Sequence, residues 1–543
     1  MNYPAASSGE LYPRRLNGGV LIMQEKIIEA MCRSDFYPDR PKTVKLIKTH
    51  SSLVFITDDF VYKVKKTVSF GFLDFSTLAK RKFYCEEELR LNRRLAADFY
   101  LDVAVIYEDA KGNLTLTPNN NIVEYAVLMK KLPEDKMLKS LLAKGRASDK
   151  IFEDLGKKIA YFHAQAETSK RISQMGLPEN ISRNHEENFS EMAGYVNVTI
   201  PADQYEFIKN YDESFITRKQ GLLEKRVAHG KIRECHGDLH LEHICITENI
   251  AIFDCIEFNE RFRCMDTAAE VAFLAMDMDL NGYHEKRAIF INSYIRHSGD
   301  SDVLSLLDFY CCYYAFVRGK VTSLRLAQRE EVVAKRLDII EGSEKYFNLA
   351  YCYAARLDRP VLLITAGLTG TGKSYLAREL SLMINAEVIR TDVLRKELLN
   401  MDSTQRHFDD FGKGIYSDDM TGRTYDNAFD IAAALIKNNK AVIIDASFKR
   451  RADRDRAVAL ATSVGVDYYV IECTCPEEIV KERLSKRMHE GADASDGRWE
   501  IYVRQKLDFE EINEIPTEHY LRLEGSLDFK THLNEIIKKI SPS

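Results

Sequence analysis

The sequence lacks any apolar run approaching the roughly 20 residues that a helix needs to cross a bilayer, so it predicts no transmembrane helix. It also lacks a basic excess: 77 lysines and arginines against 83 aspartates and glutamates give a formal net charge of −6. That balance argues against a general electrostatic field for nucleic acid. The 11 cysteines are odd in number, scattered and mostly inside apolar stretches. This pattern suits a reducing cytoplasm better than a disulfide framework.

Internal repeats and low-complexity arrays are absent as well. Residues 1–22 have no apolar stretch long enough for a signal peptide, and we expect them to be a disordered leader. What is present is a chain of 543 residues with 45% hydrophobic and 29% charged residues. That length exceeds one ordinary hydrophobic core, so two or more globular domains are expected.

The first domain is predicted over residues 23–356, with an α+β composition. Short alternating segments such as "SLVFITDD" and "VEYAVLMKKL" predict strands over about 42–132. Between them a helix is expected to start with Ser76 as its cap and to end near Ala97. From about 133 to 350 the spacing of apolar residues is helical. We therefore expect a small sheet-containing lobe followed by a helical lobe.

The second domain is predicted over residues 357–543. Four apolar strands, "VLLITAG", "AEVIRTD", "AVIIDAS" and "DYYVIEC", alternate with amphipathic helices. Strands that alternate with helices are typical of an α/β domain with a doubly wound parallel sheet.

A phosphate-binding loop is the strongest motif in the chain. The stretch "GLTGTGKS" matches G-x-x-x-x-G-K-[ST] in full and lies between a predicted strand and a predicted helix, as the motif requires. Its glycines allow backbone amides to face phosphates, Lys373 is expected to reach the β- and γ-phosphates, and the Ser374 hydroxyl is expected to ligate Mg²⁺. The predicted ATP-binding residues are Gly367, Leu368, Thr369, Gly370, Thr371, Gly372, Lys373 and Ser374.

Two carboxylates at strand ends complete this candidate site. Asp445 ends "AVIID", the position of an acid that orients the metal ion. Asp392 follows the strand "AEVIR" and faces the crevice where an acceptor would lie, so it is a candidate to orient or deprotonate an acceptor hydroxyl. Arg390 and Arg395 flank it and suit an anionic acceptor. A helix N-cap is the alternative role for Asp392.

Arg483 and Arg487 lie four residues apart on one predicted helix face. After them, "HEGADASDGRW" is interpreted as a flap that carries Arg498. Arginines on such a flap can close over a transferring phosphoryl group and exclude water. A solvated charged surface is the alternative for each of them.

This second half, over about residues 360–520, resembles the P-loop kinases related to zeta toxins and to gluconate- and shikimate-type kinases. The resemblance is carried by the phosphate loop together with "VIRTDVLRKEL" and "VIIDASFKRRADRDRA". It implies an ATP-dependent kinase that acts on a small or nucleotide-like acceptor.

The first half contains "HGDLHLEH", residues 236–243, which is similar to a kinase catalytic loop. Asp254 follows Asp238 after a short strand, as a metal-binding carboxylate does in the kinase fold. Upstream, Lys63 lies on a predicted strand and Glu88 on the next helix, where the two can pair and direct the lysine to phosphates. Lys65 and Glu87 are the rival candidates for these roles, and a structural role for the whole loop is the alternative.

Residues of about 42–340 resemble the aminoglycoside phosphotransferase-like kinases, whose fold is two-lobed and protein-kinase-like. The order of the two halves, with "GFLDFSTLAKRKFYCEEELRLNRRLA" and "FDCIEFNERFR", resembles the bifunctional aminoglycoside phosphotransferase/ATP-binding proteins. The resemblance implies that Asp238 positions an acceptor hydroxyl and that Asp254 and the residue at position 243 bind Mg²⁺. That residue is His243 here, where the family pattern has asparagine. Because imidazole suits Mn²⁺ or Zn²⁺ better than Mg²⁺, we expect slower transfer or a changed metal preference.

Three functions follow from these patterns. The leading one is a chain with two ATP-dependent phosphotransferase modules acting on a small-molecule or nucleotide-like hydroxyl. The second is a P-loop kinase regulated by an inactive kinase-like domain. The third is a nucleic-acid end kinase or RNA-binding ATPase that uses Arg450 and Arg451 in "SFKRRADRDR" as a local basic strip.

Overall fold

The chain divides after Ala354 into two units, Met1–Ala354 (unit 1) and Ala355–Ser543 (unit 2). This division lies two residues before the boundary expected after residue 356. The computed structural model describes residues 18–327, 333–357, 359–399, 401, 417–490, 498–525 and 529–540. None of the described helices is long and apolar enough to cross a membrane.

The strands expected in the small lobe form one antiparallel sheet of unit 1. Its order is β1-β2-β3-β8-β6-β7, and β4 and β5 form a separate short hairpin. The bounds are β1 (Lys45–Lys48), β2 (Ser52–Ile56), β3 (Phe60–Lys65), β4 (Ser69–Phe70), β5 (Leu73–Asp74), β6 (Tyr100–Glu108), β7 (Leu114–Thr115) and β8 (Ile122–Lys130).

Helix α1 (Gly18–Met31) covers one face of this sheet. It buries Ile27 and Met31 against Phe55 and Val64, because its apolar residues recur at helical spacing. Residues 18–22 therefore belong to a helix, and the prediction that they continue a disordered leader is wrong. Residues 1–17 of that leader lie outside the described part of the chain.

Helix α2 (Leu78–Ala96) packs on the sheet with Cys85 beside Tyr125 and Val127. Its cap differs from the prediction. The Thr77 hydroxyl accepts a hydrogen bond from the Lys80 amide at 3.2 Å, whereas the Ser76 amide donates to Asp74 Oδ1 at 3.0 Å. Serine and threonine are both common caps. Here the Asp74 side chain holds the Ser76 amide in a turn, and Thr77 is the residue that caps the helix.

The rest of unit 1 is mainly helical, with two small antiparallel ladders, β9–β12 and β10–β11. Helix α9 is buried on nearly all sides and lies beside α10 and α11, which gives this part its core. The bounds are α3 (Leu138–Ala143), α4 (Asp149–Gln165), α5 (Lys170–Gln174), α6 (Pro178–Met192), α7 (Ala202–Arg218), α8 (Gln220–Ala228), β9 (Ile232–Glu234), β10 (Ile244–Ile246), β11 (Ile250–Ile252), β12 (Cys264–Asp266), α9 (Thr267–Leu280), α10 (His284–Ser298), α11 (Val303–Leu324) and α12 (Val333–Ala355).

Unit 2 contains a five-stranded sheet in the order β14-β15-β13-β16-β17, and all of its pairings are parallel. The predicted parallel sheet is confirmed, with β17 as a strand that the sequence patterns did not identify. Strand β13 is central, and the chain builds the sheet outward on both of its sides. The strands are β13 (Val361–Ala366), β14 (Glu387–Arg390), β15 (Val442–Asp445), β16 (Asp467–Thr474) and β17 (Tyr520–Glu524).

Helices of unit 2 cover the sheet with an apolar face. Helix α15, for example, buries Tyr425, Ala428, Phe429 and Ala432 at spacings of three and four residues against the apolar strands. The helices are α13 (Lys373–Ile384), α14 (Thr391–Glu397), α15 (Asp418–Lys437), α16 (Arg451–Val464), α17 (Glu477–Glu490), α18 (Trp499–Asp508) and α19 (Phe529–Ile540).

Candidate functional site

The glycine-rich loop of unit 2 connects the carboxyl end of β13 to the first residue of α13. Gly367, Gly370 and Gly372 have φ angles of 129°, 82° and 103°, which L side chains rarely adopt. The Gly367 amide donates to the Ser447 carbonyl at 3.0 Å. The loop lies at the carboxyl edge of a parallel sheet and at a point where strand order reverses, which is where such sheets bind ligands.

Lys373 folds back over this loop. Its Nζ donates to the Leu368 carbonyl at 2.7 Å, and the Thr371 hydroxyl donates to the same oxygen at 2.9 Å. The Thr369 amide donates to Gln505 Oε1 on α18 at 2.8 Å. Gln505 was missed by sequence reasoning, since it lies outside any motif and reaches the loop only through the fold.

Asp445 is buried at the end of β15, beside the first turn of α13. The Thr365 hydroxyl donates to Asp445 Oδ1 at 3.3 Å. The Asp445 carboxylate also makes a side-chain hydrogen bond with Ser374. Burial raises the pKa of Asp445, and the hydrogen bond with Ser374 and the charge of Lys373 act in the opposite direction. A hydroxyl and a carboxylate in contact are hard oxygen donors, so this pair fits a Mg²⁺ ion.

Asp392 lies in the first turn of α14, one residue after Thr391, and does not cap the helix. Arg390 occupies the cap position, without a side-chain cap bond. The charge of Asp392 acts to raise the pKa of Asp445. Arg390 Nε lies 3.7 Å from Asp445 Oδ2, and Arg395 Nη1 lies 3.9 Å from Asp392 Oδ1.

Arg483 on α17 lies beside the glycine-rich loop. Its Nη2 donates to the Gly525 carbonyl at 3.0 Å, and its Nη1 lies 3.7 Å from Cys475 Sγ. Arg487 is on the same helix, but its side chain lies outside the described residues, as do residues 491–497 of the expected flap. Arg498 occupies the cap position of α18.

A cavity of about 440 Å³ opens next to Arg483, at the carboxyl ends of β16 and β17. Its wall is formed by Thr474, Cys475, Pro476, Arg522 and Glu524. A Cβ added at Gly367 would lie 2.3 Å from the Cys473 carbonyl, which places this wall directly beside the phosphate loop.

The basic segment 449–456 does not form an unpaired positive strip. Arg450 pairs with Asp418 at 2.6 Å and Arg451 with Asp455 at 3.6 Å. The other cations of the segment have carboxylate partners too: Lys449 with Asp508, Arg454 with Glu514 and Arg456 with Asp426. Since these charges are compensated within unit 2, the fold weakens the third function.

In unit 1, Glu88 contacts both lysines of β3. Lys63 Nζ lies 2.9 Å from Glu88 Oε1, and Lys65 Nζ lies 2.7 Å from Glu88 Oε2. Glu87 instead pairs with Arg90 at 2.9 Å. Glu88 therefore contacts the lysines of β3 and Glu87 does not, while Lys63 and Lys65 share the same partner.

Asp254 and Glu257 complete this buried charge cluster. Asp254 Oδ1 accepts from Lys63 at 2.7 Å, and Glu257 accepts from Lys65. Burial alone would lower the pKa of Lys63, but Asp254 and Glu88 raise it well above its ordinary value. Glu257 was not predicted as a site residue, because the stretch "FDCIEFNERFR" was used for the resemblance alone and its contact with Lys65 depends on the fold.

The loop 236–243 is anchored by Glu270 on α9. One carboxylate oxygen of Glu270 accepts from the His236 amide at 2.6 Å and the Gly237 amide at 2.8 Å. Gly237 has a φ of 89°, and a Cβ there would lie 2.9 Å from the Phe262 carbonyl. Glycine is therefore required at the turn. Glu270, like Gln505 and Glu257, was not predicted from the sequence.

His243 lies between the two predicted carboxylates. Its Nδ1 donates to the Asp238 backbone carbonyl at 3.0 Å, so a neutral ring presents the Nε2 lone pair. That nitrogen is 3.6 Å from Asp254 Oδ2, while His240 Nε2 is 3.6 Å from Asp238 Oδ2. Imidazole and carboxylate donors of this kind fit a divalent cation. The structure thus brings Lys63, Glu88, Asp238, His243 and Asp254 into one cluster.

Known protein families and relatives match different parts of the chain. Residues 362–512 match the family model of the AAA domain, which covers none of unit 1. An uncharacterized protein of Mycobacterium tuberculosis strain H37Rv is 27% identical over 469 residues, 86% of this chain and 91% of the relative. An uncharacterized protein of Mycobacterium bovis matches with the same identity and coverage. Because unit 1 ends at residue 354, a match of 469 residues extends into both units.

Two solved kinases are similar to about a third of the chain. The APS kinase of Mycobacterium tuberculosis is 19% identical, with a TM-score of 0.26, and the match covers 34% of this chain and 99% of that chain. A gluconokinase from Sinorhizobium meliloti is 14% identical, with a TM-score of 0.24, over 34% of this chain and 92% of that chain.

Proposed function

We propose that unit 2 is an ATP-dependent kinase that transfers the γ-phosphate to a hydroxyl of a small, anionic acceptor. The observation that carries this proposal is the convergence of Lys373, Ser374 and the buried Asp445 at a loop whose three glycines have positive φ. The match of residues 362–512 to the AAA domain supports nucleotide binding by the same unit.

The chain's own residues account for ATP binding. The loop amides from Gly367 to Gly372 face the phosphates, aided by the amino-terminal end of α13. Lys373 exchanges its bond with the Leu368 carbonyl for bonds with the β- and γ-phosphates. Ser374 and Asp445 hold a Mg²⁺ ion, which supplies neutralisation of phosphate charge when bound. The cavity of about 440 Å³ beside the loop receives the nucleoside.

Asp392 and the arginines act on the acceptor. Asp392 accepts the proton of the acceptor hydroxyl as its oxygen bonds to the γ-phosphorus and the bond from phosphorus to the β–γ bridging oxygen breaks, which releases ADP. Arg395 and Arg390 suit the anionic part of the acceptor. Arg483 and Arg487 stabilise the charge of the transferring group from the side of α17.

A transfer screen tests this proposal. The full chain is incubated with γ-labelled ATP, Mg²⁺ and pools of small acceptors that carry a hydroxyl and a carboxylate or phosphate. Labelled product is expected from wild type and from Asp430→Asn, an exposed carboxylate of α15, and is expected to fall at least about 100-fold in Asp392→Asn. Equal product from Asp392→Asn and wild type would remove Asp392 from the acceptor site.

We further propose that unit 1 is a second nucleotide-binding and phosphotransfer module of the aminoglycoside phosphotransferase-like type. The supporting observation is the cluster in which Lys63 contacts both Glu88 and Asp254 and His243 lies between Asp254 and Asp238. Lys63 directs phosphates, Asp238 positions the acceptor hydroxyl, and His243 and Asp254 hold Mg²⁺ or Mn²⁺.

The regulatory alternative for unit 1 is separable by mutation. If unit 1 is a catalyst, Asp238→Asn and Lys373→Ala each remove transfer to a different acceptor. If unit 1 only regulates unit 2, Asp238→Asn leaves every transfer reaction in place and Lys373→Ala abolishes all of them. Product profiles of the two variants, measured by mass spectrometry, distinguish these outcomes.

His243 adds a test that concerns unit 1 alone. Because imidazole suits Mn²⁺ better than Mg²⁺, His243→Asn is expected to shift the preference of Asp238-dependent transfer towards Mg²⁺. The measurement is a titration of Mg²⁺ and of Mn²⁺ against wild type and His243→Asn in a Lys373→Ala background. Superimposable titrations for the two proteins would exclude His243 as a metal ligand.

A further inference from the structure

A cavity of about 740 Å³ lies in unit 1 between α4, α10 and the turns at 229–231 and 248–250. Its wall includes Lys157, Lys158 and Tyr161 of α4, together with Lys231 and Arg233. A volume of this size lies within the range of about 300–1,000 Å³ in which proteins bind small molecules. None of these residues belongs to the charge cluster described above.

The charge of this wall is positive once its internal pairs are counted. Asp300 is held by Arg226 at 2.7 Å and by Lys231 at 3.0 Å. Asp154, another acid of the wall, pairs with Lys150. Glu248 remains, exposed in its turn.

The wall also carries three cations, Lys157, Lys158 and Arg233, besides the carboxylate of Glu248. Lys157 and Lys158 make no ion pair with any residue that the structure describes. Arg233 donates to two backbone carbonyls, those of Gly230 and Ala166, both at 2.8 Å. These two bonds fix the direction of the guanidinium and leave its charge uncompensated. Partial burial lowers the pKa of Lys158, and the charge of Asp98, which lies outside the wall, acts in the opposite direction.

The floor of the cavity is connected to the loop 236–243. His163, at the floor, bonds through Nδ1 to the Tyr294 hydroxyl at 2.9 Å and through Nε2 to Glu270 at 2.8 Å. The other oxygen of Glu270 holds the amides of His236 and Gly237. One buried carboxylate therefore separates the cavity from the backbone of the loop that carries Asp238.

We propose that this cavity binds a small organic anion, whose phosphate or carboxylate group is held by Lys157, Lys158 and Arg233, and that its occupant stabilises the loop 236–243 through His163 and Glu270. Tyr161, which is exposed on the same wall, offers a flat surface for the body of the ligand. This proposal concerns unit 1 and is independent of the kinase activity proposed for unit 2.

Hydrogen exchange on the full chain tests the site. Pyrophosphate and citrate serve as phosphate and carboxylate probes, and ADP with Mg²⁺ is present in every sample, including the reference without probe. At a probe concentration ten times its dissociation constant, amides of 154–164, 229–233 and 236–243 are expected to exchange about tenfold more slowly. A response to pyrophosphate alone identifies a phosphate-bearing ligand, and a response to citrate alone identifies a carboxylate.

Lys157→Glu removes one of the proposed contacts at an exposed position, so the variant is expected to fold and to lose the slowing. The matched control is Lys209→Glu on α7, where the lysine lies 3.9 Å from Glu213 and outside the cavity. The site is overturned if neither probe slows exchange or if the slowing persists in Lys157→Glu. Slowing of the walls without slowing of 236–243 overturns the link through His163 and Glu270.

Discussion

Gly367 shows how closely the phosphate loop is packed at the residue scale. A Cβ at this position would lie 2.3 Å from the Cys473 carbonyl, and its φ of 129° is unfavourable for any L side chain. Gly367→Ala is therefore expected to lower the free energy of unfolding of unit 2 by about 1–3 kcal/mol. Urea unfolding followed by the fluorescence of Trp499, the only tryptophan, measures this in unit 2 specifically.

Gly422 is the matched control for that substitution. It lies within α15, and a Cβ added there has no heavy atom within 4 Å. Because alanine is the better helix former, Gly422→Ala is expected to raise the free energy of unfolding by about 0.5–1 kcal/mol. Equal effects of the two substitutions would contradict the packing described for the loop.

Glu270 gives unit 1 a pH dependence. Burial alone would raise the pKa of Glu270, but the bonds with His163 and with the loop amides lower it below its ordinary value. Its contribution to stability is therefore fully present above the unfolded pKa of about 4.3 and is lost as pH falls through the lower, folded pKa. Glu270→Gln is expected to be less stable than wild type by about 1–3 kcal/mol at pH 7.

Hydrogen exchange of the amides of α9, corrected for the intrinsic effect of pH, measures that difference. The difference in stability between wild type and Glu270→Gln is expected to narrow as the pH falls below about 4.3, the pKa of a glutamate in the unfolded chain. Glu224→Gln, an exposed glutamate of α8, serves as the control and is expected to follow wild type at every pH. A gap that stays constant between neutral and acidic pH would rule out Glu270 as the source.

Sequence reasoning succeeded where the chemistry is local. The glycines, lysine and serine of the phosphate loop lie in one continuous segment, 367–374. The strand before this loop and the helix after it could therefore be predicted. Glu88 could not be separated from Glu87 in the same way, because the choice depends on which face of α2 is buried against β3. Gln505 and Glu270 had no signal at all, since each reaches its loop from a distant helix.

At the scale of elements, Arg454 connects α16 to the segment that follows α18. Its side chain is fully buried and bonds to Glu514, to the Phe448 carbonyl at 2.9 Å and to the Glu511 carbonyl at 3.3 Å. Arg454→Met leaves Glu514 buried without its partner. The expected loss in the free energy of unfolding is about 3–5 kcal/mol.

Arg451, on the same helix, is the control for that prediction. It is exposed and pairs with Asp455 one turn away, so Arg451→Ala is expected to change the free energy of unfolding by less than about 0.5 kcal/mol. Urea unfolding followed by Trp499 fluorescence compares the two variants. Similar small losses in both would show that the buried pair does not hold these elements together.

Strands and helices with a strong local sequence pattern were predicted, and those with a weak pattern were not. The four strongly apolar strands of unit 2 were identified, whereas β17, in which Leu523 alone is buried, was not. The two-residue strands β4 and β5 are too short to show alternation. Residues 18–22, the start of α1, were assigned to a disordered leader, because the sheet against which α1 packs cannot be recognised from these residues alone.

At the scale of the whole molecule, the chain joins two units that each gather titratable residues around a loop with positive-φ glycines. The mycobacterial relatives match over a length that extends into both units. The parallel sheet of unit 2 was predictable from alternating strands and helices. The cavity in unit 1 was not, because its walls come from five separated segments.

Calorimetric titration of ATP with Mg²⁺ into the full chain tests the central claim most directly, since that claim is that residues 367–374 and Asp445 bind the phosphates and the metal ion. Wild type and Asp430→Asn are expected to bind ATP in both units. Lys373→Ala is expected to weaken one of these binding events at least tenfold, because a charged hydrogen bond contributes about 1.5–3 kcal/mol. Titrations of wild type and Lys373→Ala that coincide, or an absence of heat in both, would contradict the account.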